Sequence, residues 1–275
     1  MKAEKTEYYL PVIPHGRVSK RNKSYEVVAD SFTGQVRKRN EDSYVYAWDR
    51  GFGHLLTAVA DGIGSIVNGD ISSNYTLQLL QQAWSRFSFS KPDDEPGEVR
   101  DFLLNSVCEI NRKLYEVNSI TANDYGPDSF GTTISAAVFL KNTMVAVNAG
   151  DSPIFRIRAG KIEQLSFDHN LANEMIRMGK VSREESKKLE HGRMLTRFIG
   201  PKLDVEPELY VADVIPGDHF LLCSDGLTLH IPPNEICQIL SNEKNSLQEA
   251  MKILFCTTIQ RGAMDNVTLI LVKAI

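Results

Sequence analysis

The stretch AVADGIGS, Ala58–Ser65, decides how the rest of the chain is read. Ala58, Val59 and Ala60 are apolar and read as the end of a buried strand. Asp61 then puts a single carboxylate where that strand stops. Gly62 and Gly64 let the backbone turn sharply and come close to a ligand. A carboxylate at the end of a buried strand, beside an exposed carbonyl, is a hard-oxygen site suited to Mg²⁺ or Mn²⁺. A lone Asp-Gly is more often an ordinary turn, so the reading depends on partners elsewhere in the chain.

Such partners exist. HFLLCSDGL (219–227) repeats the pattern, with Asp225 after an apolar strand and Gly226 after Asp225. In GAMDNVTLILVKAI (262–275) Asp265 opens a last apolar strand. GQVRKRNEDSY (34–44) packs three basic residues, an Asn and two carboxylates into Arg37–Asp42, between two apolar strands. A charge-dense hairpin of that kind is either solvated surface or a site. If the strands belong to one sandwich, Asp42, Asp61, Asp225 and Asp265 can converge at one end. Half-buried carboxylates repel one another unless cations neutralise them, so the set suggests a two-metal site able to activate water and clamp phosphoryl oxygens. No HxH, HExxH or paired cysteines point to structural or protease-type zinc, and no GxxxxGK[ST] marks a nucleotide P-loop.

Composition narrows the class. The 275 residues carry a net charge of -4, so no global basic field attracts nucleic acid. No apolar run approaches the roughly 20 residues of a bilayer span, which argues against a membrane protein. The first residues include acidic side chains and no apolar signal core, so no secretory signal is expected. The four cysteines, Cys108, Cys223, Cys237 and Cys256, show no CxxC spacing and fit free thiols in a reducing cytoplasm. Residues 1–23, with prolines and a basic cluster at Arg17–Lys23, read as a loosely ordered arm.

Periodicity places the rest. Strands are expected at Tyr25–Phe32, Ser43–Trp48, His54–Ala60, from Gly131, at Thr143–Asn148, Pro153–Arg158 and Glu208–Val214, in the apolar part of HFLLCSDGL, and after Asp265 at the end of the chain. Helices are expected at Ile71–Phe87, with Leu77, Leu80, Trp84 and Phe87 on one face, and at Glu98–Asn118, with Phe102, Leu103, Val107, Ile110, Leu114 and Val117 on one face. Two more are expected at Pro233–Leu240 and Leu247–Gln260. The charged, weakly apolar segment 168–200 reads as two short helices in a mobile subdomain over the surface, with Ser182 and Glu185 forming a capping box.

The strings RKRNEDSY, AVADGIGS, GTT, NAGDSPIFRIRAG, DHN, LTRFIG, LLCSDGL and DNVTLILV, in this order, resemble the metal-dependent type 2C serine/threonine protein phosphatases, most closely the bacterial branch. The resemblance spans roughly residues 25–275. It implies an α+β fold, a four-layer α/β/β/α sandwich of two antiparallel sheets flanked by helices. Residues 24–275 would be the catalytic domain and 168–200 its flap. It also implies two Mn²⁺ or Mg²⁺ ions at one edge of the sandwich. Asp61 would bridge them, the Gly62 carbonyl would bind one, and Asp225 and Asp265 would complete the other. Asp42, with Glu41 beside it, would bind metal or orient its water. Arg37 would hold the substrate phosphate, while Lys38 and Arg39 read as solvated turn charges. Asp128 fits a ligand of a third, weaker ion, against the alternative of a turn residue. Asp151 reads as structural, tying a turn. His191 reads as an exposed loop histidine, with a proton donor to the leaving group as the alternative.

Ser65 stands where the family often has a second Gly, and Pro153 where it often has Arg. Neither position supplies a metal ligand. The implied reaction is hydrolysis of phosphoserine or phosphothreonine in proteins by direct attack of a metal-bridging water, in a cytoplasmic monomer opposing a Ser/Thr kinase. Two other functions stay open: a phosphatase-like binding or regulatory module, and a phosphatase for small phosphate esters.

Overall fold

A computed structural model describes residues 18–49, 51–63, 69–89, 96–125 and 131–275, and the strand carrying AVADG lies at its centre. In β4 (Leu55–Ile63), Leu55 and Val59 enter one apolar cluster while Leu56, Ala58 and Ala60 enter another. A strand buried on both faces reads as a near-continuous apolar run, as LLTAVA does with Thr57 as its one polar residue. Its sheet runs β10 (Glu208–Asp213), β7 (Thr143–Ala149), β6 (Ile134–Phe139), β4, β3 (Asp42–Trp48), with the short β5 (Gly131–Thr132) pairing with the far end of β4. The second sheet runs β1 (Val18–Arg21), β2 (Tyr25–Phe32), β12 (Val267–Ala274), β11 (His219–Cys223), β8 (Ile154–Arg158), β9 (Lys161–Gln164). These strand pairs are antiparallel.

The sheets face each other across Val27, Ala29, Tyr46, Phe139, Phe220, Ile270 and Val272. On the outside of the first sheet lie α1 (Gly69–Arg86) and α2 (Pro96–Tyr125), packed through Leu77, Leu80, Trp84, Leu103, Val107 and Leu114. The second sheet is covered by the short α5 (Asp225–Thr228), α6 (Pro233–Leu240) and α7 (Leu247–Gln260), through Leu227, Ile236, Met251 and Leu254. The fold is thus the expected four-layer α/β/β/α sandwich. Each large side chain buried in these clusters stabilises it by roughly 2 kcal/mol, before the entropy of ordering is counted. Between β9 and β10 the chain forms α3 (Leu171–Arg177) and α4 (Arg183–Ser186), and the Ser182–Glu185 capping box is present.

Several boundaries differ from the expectation for physical reasons. β4 does not stop at Asp61; it continues through Gly62 and Ile63, which pair with Thr132 and Gly131. Within the expected arm, Val18–Arg21 pairs with Glu26–Ala29 as a strand. Asn22 makes the turn, its side-chain oxygen accepting from the backbone N–H groups of Ser24 and Tyr25 at 2.8 and 2.7 Å. β9 escapes a periodicity search because Lys161, Glu163 and Gln164 are exposed on a sheet edge, where charge discourages edge pairing. On α2 the apolar face ends at Leu114. Val117 is 37% exposed, and Asn118, one step further round, is buried. Its amide donates to the Gly200 carbonyl at 2.9 Å, while Asn111 donates to Lys202 and Leu203 at 3.0 and 2.9 Å. Two asparagines on the helix thereby anchor the chain just after segment 168–200.

Candidate active site

Antiparallel register brings the first two carboxylates together. Asp42, opening β3, lies directly opposite Asp61 near the end of β4. Directly opposed residues share a face of the sheet, with Cβ atoms about 5 Å apart. The second sheet adds its own acids at the same edge. Asp225 follows β11 and starts α5, and Asp265 precedes β12. Ser224 joins the two sheets: its hydroxyl donates to Asp42 Oδ2 at 2.7 Å and accepts from the backbone N–H of Thr268 at 3.0 Å.

The charge-dense segment is not a hairpin, because β2 and β3 lie in different sheets; it is a loop that crosses from one sheet to the other, and Asn266 stitches it onto this edge. Its side-chain oxygen accepts from the Glu41 N–H at 2.8 Å, and its amide donates to the Thr33 and Arg39 carbonyls at 2.7 and 2.9 Å. Arg37, about half exposed, reaches Asp265 Oδ2 at 2.9 Å. GTT clamps Asp61 from the other side. The Thr133 hydroxyl accepts from the Asp61 N–H at 2.9 Å, and the Thr132 hydroxyl and Thr133 N–H donate to its carbonyl at 2.8 and 2.9 Å. Gly62 permits the close approach of three segments. A Cβ there would lie 2.0 Å from the Gly69 carbonyl oxygen and 2.6 Å from that of Glu41.

The electrostatics are those of acids crowded out of water. Burial, and then the charges of Asp42, Asp225, Asp151 and Asp265, push the Asp61 carboxyl well above the usual carboxylate range. Burial raises Asp42 to about 7 against the help of the Ser224 hydroxyl. Asp225 rises to about 6 through burial and Asp265, with Arg193 and Arg37 opposing. Glu41 is raised chiefly by burial, with Arg37 opposing. Asp42 is buried, and its Oδ1 has no hydrogen-bond partner. Among the described residues no three acidic, imidazole or thiol groups already enclose a common point, so the carboxylates share a field rather than a cage. Still, an orphaned buried oxygen and an all-oxygen anionic donor set fit a hard divalent cation.

Two further acids belong to this field. Asp151, read from sequence as a turn residue, is pushed up to about 8 by burial and then by Asp225 and Asp168. Asp168 is raised to about 7 by burial and Asp225, although Gln164 donates to it at 2.7 Å. Asp151, Asp168, Arg193 and Asn266 were not legible as site residues. Their signal is membership of a quoted string (NAGDSPIFRIRAG, DHN and DNVTLILV) or, for Arg193, nearness to LTRFIG, which says nothing about where a side chain lies in space. Of the expected set, Arg37, Asp42, Asp61, Gly62, Asp225 and Asp265 come together. Asp128 and Ser65 lie outside the described residues. His191 is exposed, with φ 61, and lies 3.6 Å from Glu190.

These shifts predict an unusual pH response of the metal-free chain. An acid whose folded pKa is raised makes the native state bind more protons than the unfolded one, so stability falls as pH rises through the folded pKa. Asp42, Asp151, Asp168 and Asp225, raised to about 7, 8, 7 and 6, act in that sense. Two histidines shifted down by burial, His169 and His219, act in the opposite sense, but only below their unfolded pKa of about 6.5. Thermal unfolding in EDTA should therefore shift to lower temperature between about pH 6.5 and 8.5, and Mn²⁺ should reverse the shift. An unfolding temperature that is flat or rises over this range in EDTA would contradict the crowding of these acids.

Comparison with known proteins matches the chain to a family. The family described as Protein phosphatase 2C matches residues 35–269. The chain is 31% identical over 242 residues to the "Serine/threonine phosphatase stp" of Listeria welshimeri, covering 87% of this chain and 92% of that one. It is 30% identical over 240 residues to "Protein phosphatase PhpP" of Streptococcus pneumoniae, covering 87% and 94%. The solved serine/threonine phosphatase of S. agalactiae superposes with a TM-score of 0.83 at 32% identity, covering 90% of this chain and 99% of that one. The chain belongs to the protein phosphatase 2C family and is a protein phosphatase.

Proposed function

We propose that this chain hydrolyses phosphoserine and phosphothreonine in proteins with two Mn²⁺ or Mg²⁺ ions held at the edge of the sandwich. The observation that carries the reading is the convergence of Asp42, Asp61, Asp225 and Asp265, from both sheets, beside a half-exposed Arg37. Asp61 would serve both ions, since it faces Asp42 across the β3–β4 pair and feels Asp225 and Asp265 from the other sheet. The Gly62 carbonyl and Asp42, with Glu41, would complete one ion, and Asp225 and Asp265 the other. When bound, two such ions lower the pKa of a water and neutralise charge on phosphoryl oxygens.

The protein's own groups bind and orient. Arg37 offers a planar fork suited to two phosphate oxygens, and its contact with Asp265 aims it at the acidic edge. Thr132, Thr133 and Ser224 hold Asp61 and Asp42 in place before substrate arrives. Cysteine has no part in the reading: all four thiols are free, and burial raises the Cys223 thiol well above its usual value.

Asp128 would join a third, weaker site. Residues 24–275 would form the catalytic domain, with 168–200 as a flap beside the site. The protein substrates would be phosphorylated by an opposing Ser/Thr kinase, and the chain would work as a cytoplasmic monomer. No helix among the described residues is long and apolar enough to cross a membrane.

Turnover of p-nitrophenyl phosphate and of phosphothreonine peptides should appear with Mn²⁺ and vanish with EDTA. Activity that survives EDTA would sink the mechanism. A preference for small esters over phosphopeptides would move the substrate class to metabolites, and an absence of turnover with Mn²⁺ would leave a binding module.

A further inference from the structure

A charged cluster outside the acidic edge joins both limbs of segment 168–200 to the sandwich. Its centre is Glu208, the first residue of β10. Arg177, at the end of α3 on the outgoing limb, and Arg197, on the returning limb, both donate to Glu208 Oε1 at 3.0 Å. Tyr210 donates its hydroxyl to Oε2 at 2.7 Å and accepts the Phe167 N–H at 2.9 Å. Arg177 also pairs with Glu174 at 2.7 Å and lies over the Phe167 ring. The fully buried His169 completes the cluster. Its Nδ1 faces the Gly150 N–H at 3.1 Å, and its Nε2 lies 2.9 Å from Arg197 Nη1 and 3.4 Å from Glu208 Oε1.

This cluster sits at the roots of the segment. The Thr196 N–H donates to the His169 carbonyl, and the Leu171 N–H to that of Met194, each at 2.9 Å. The residues next to the cluster enter the acidic field. Asp168 precedes His169, Asp151 follows the Gly150 that His169 binds, and Arg193 opposes the raised pKa values of Asp225 and Asp151. Glu208 is itself driven down to about 2 by Tyr210, Arg197 and Arg177 against the cost of its burial, so it is charged whenever the enzyme works.

We propose that Glu208 is a positioning residue: by clasping Arg177, Arg197 and His169 it holds both limbs of segment 168–200 where Asp168, Arg193 and Asp151 can meet a protein substrate at the acidic edge. This rests on the phosphatase reading above. It treats the ionic cluster as more than a stability device, since two of the partners that Glu208 gathers adjoin the acidic field: His169 follows Asp168, and Arg197 lies on the same limb as Arg193.

The test uses the full chain with Mn²⁺ and compares wild type, Glu208→Gln and Arg177→Gln. The first substitution keeps the side chain's shape and removes its charge. Arg177 is nearly half exposed, so its loss frees one limb while Arg197 and Glu208 stay paired and the fold is kept. Limited proteolysis between residues 178 and 194 should quicken about tenfold in Glu208→Gln, and KM for a phosphothreonine peptide should rise about tenfold with kcat within about threefold. Arg177→Gln should shift both in the same direction by about threefold. If either soluble variant keeps the wild-type KM, the proposal is overturned, whatever happens to its unfolding temperature. If the wild type shows no metal-dependent phosphate release, the phosphatase reading fails instead.

Discussion

Asp61→Asn is expected to give a folded chain whose turnover of phosphate esters falls by about a thousandfold or more. Asn keeps the shape and the backbone bonds to Thr132 and Thr133 that hold this residue. What it removes is the carboxylate that faces Asp42 across the strand pair and Asp225 and Asp265 across the sandwich. Without that charge neither proposed ion keeps its shared ligand. The same carboxylate is a burden to the empty protein, since burial and like charges push its pKa far up. The metal-free variant should therefore unfold at the same temperature as the metal-free wild type, or higher, at pH 8. Paired measurements of turnover in Mn²⁺ and thermal unfolding in EDTA check this. Near-normal turnover would mean that the centre lies elsewhere.

Gly62→Ala should have the largest effect on the fold itself. The new Cβ would sit 2.0 Å from the Gly69 oxygen, 2.4 Å from the Gly69 carbon and 2.6 Å from the Glu41 oxygen. All three are backbone atoms, so no rotamer change relieves the overlap. Either the start of α1 or the Glu41 loop must move, at a cost of about 3 kcal/mol or more. Gly97→Ala is the matched control: nothing lies within 4 Å of its Cβ, and it occupies the first turn of α2. Its effect should stay within about 1 kcal/mol, on the stabilising side. Urea midpoints of the two variants separate the cases. A Gly62→Ala chain as stable as Gly97→Ala would contradict the close approach of β4, α1 and the Glu41 loop.

Much of the fold is legible in local pattern. Tyr25–Phe32, Pro233–Leu240 and Leu247–Gln260 have the ends that periodicity and breakers suggest. What escaped is set by tertiary context. β1 and β9 lie on sheet edges, β9 has no buried residue, and Asn118 displaces Val117 because a loop from another part of the chain offers it a carbonyl. The candidate site divides in the same way. Asp61 and Asp225 stand out because each follows an apolar run in the sequence and precedes a glycine. Asp151 and Asp168 do not, because only the packing of separate elements brings them beside Asp225. Asp61 by itself reads as an ordinary turn. The repeated pattern of apolar run and carboxylate supplies its partners, the ordered motifs supply their roles, and antiparallel register puts Asp42 opposite Asp61.

The central claim is that Asp61 is shared by two cations, and counting them tests it most directly. Isothermal titration of Mn²⁺ into the metal-free chain at pH 8 should find at least two ions per wild-type chain, and Asp61→Asn should lose the tight pair. A wild-type chain that takes up one ion or none, or an Asp61→Asn chain that binds two as tightly as wild type, would contradict it.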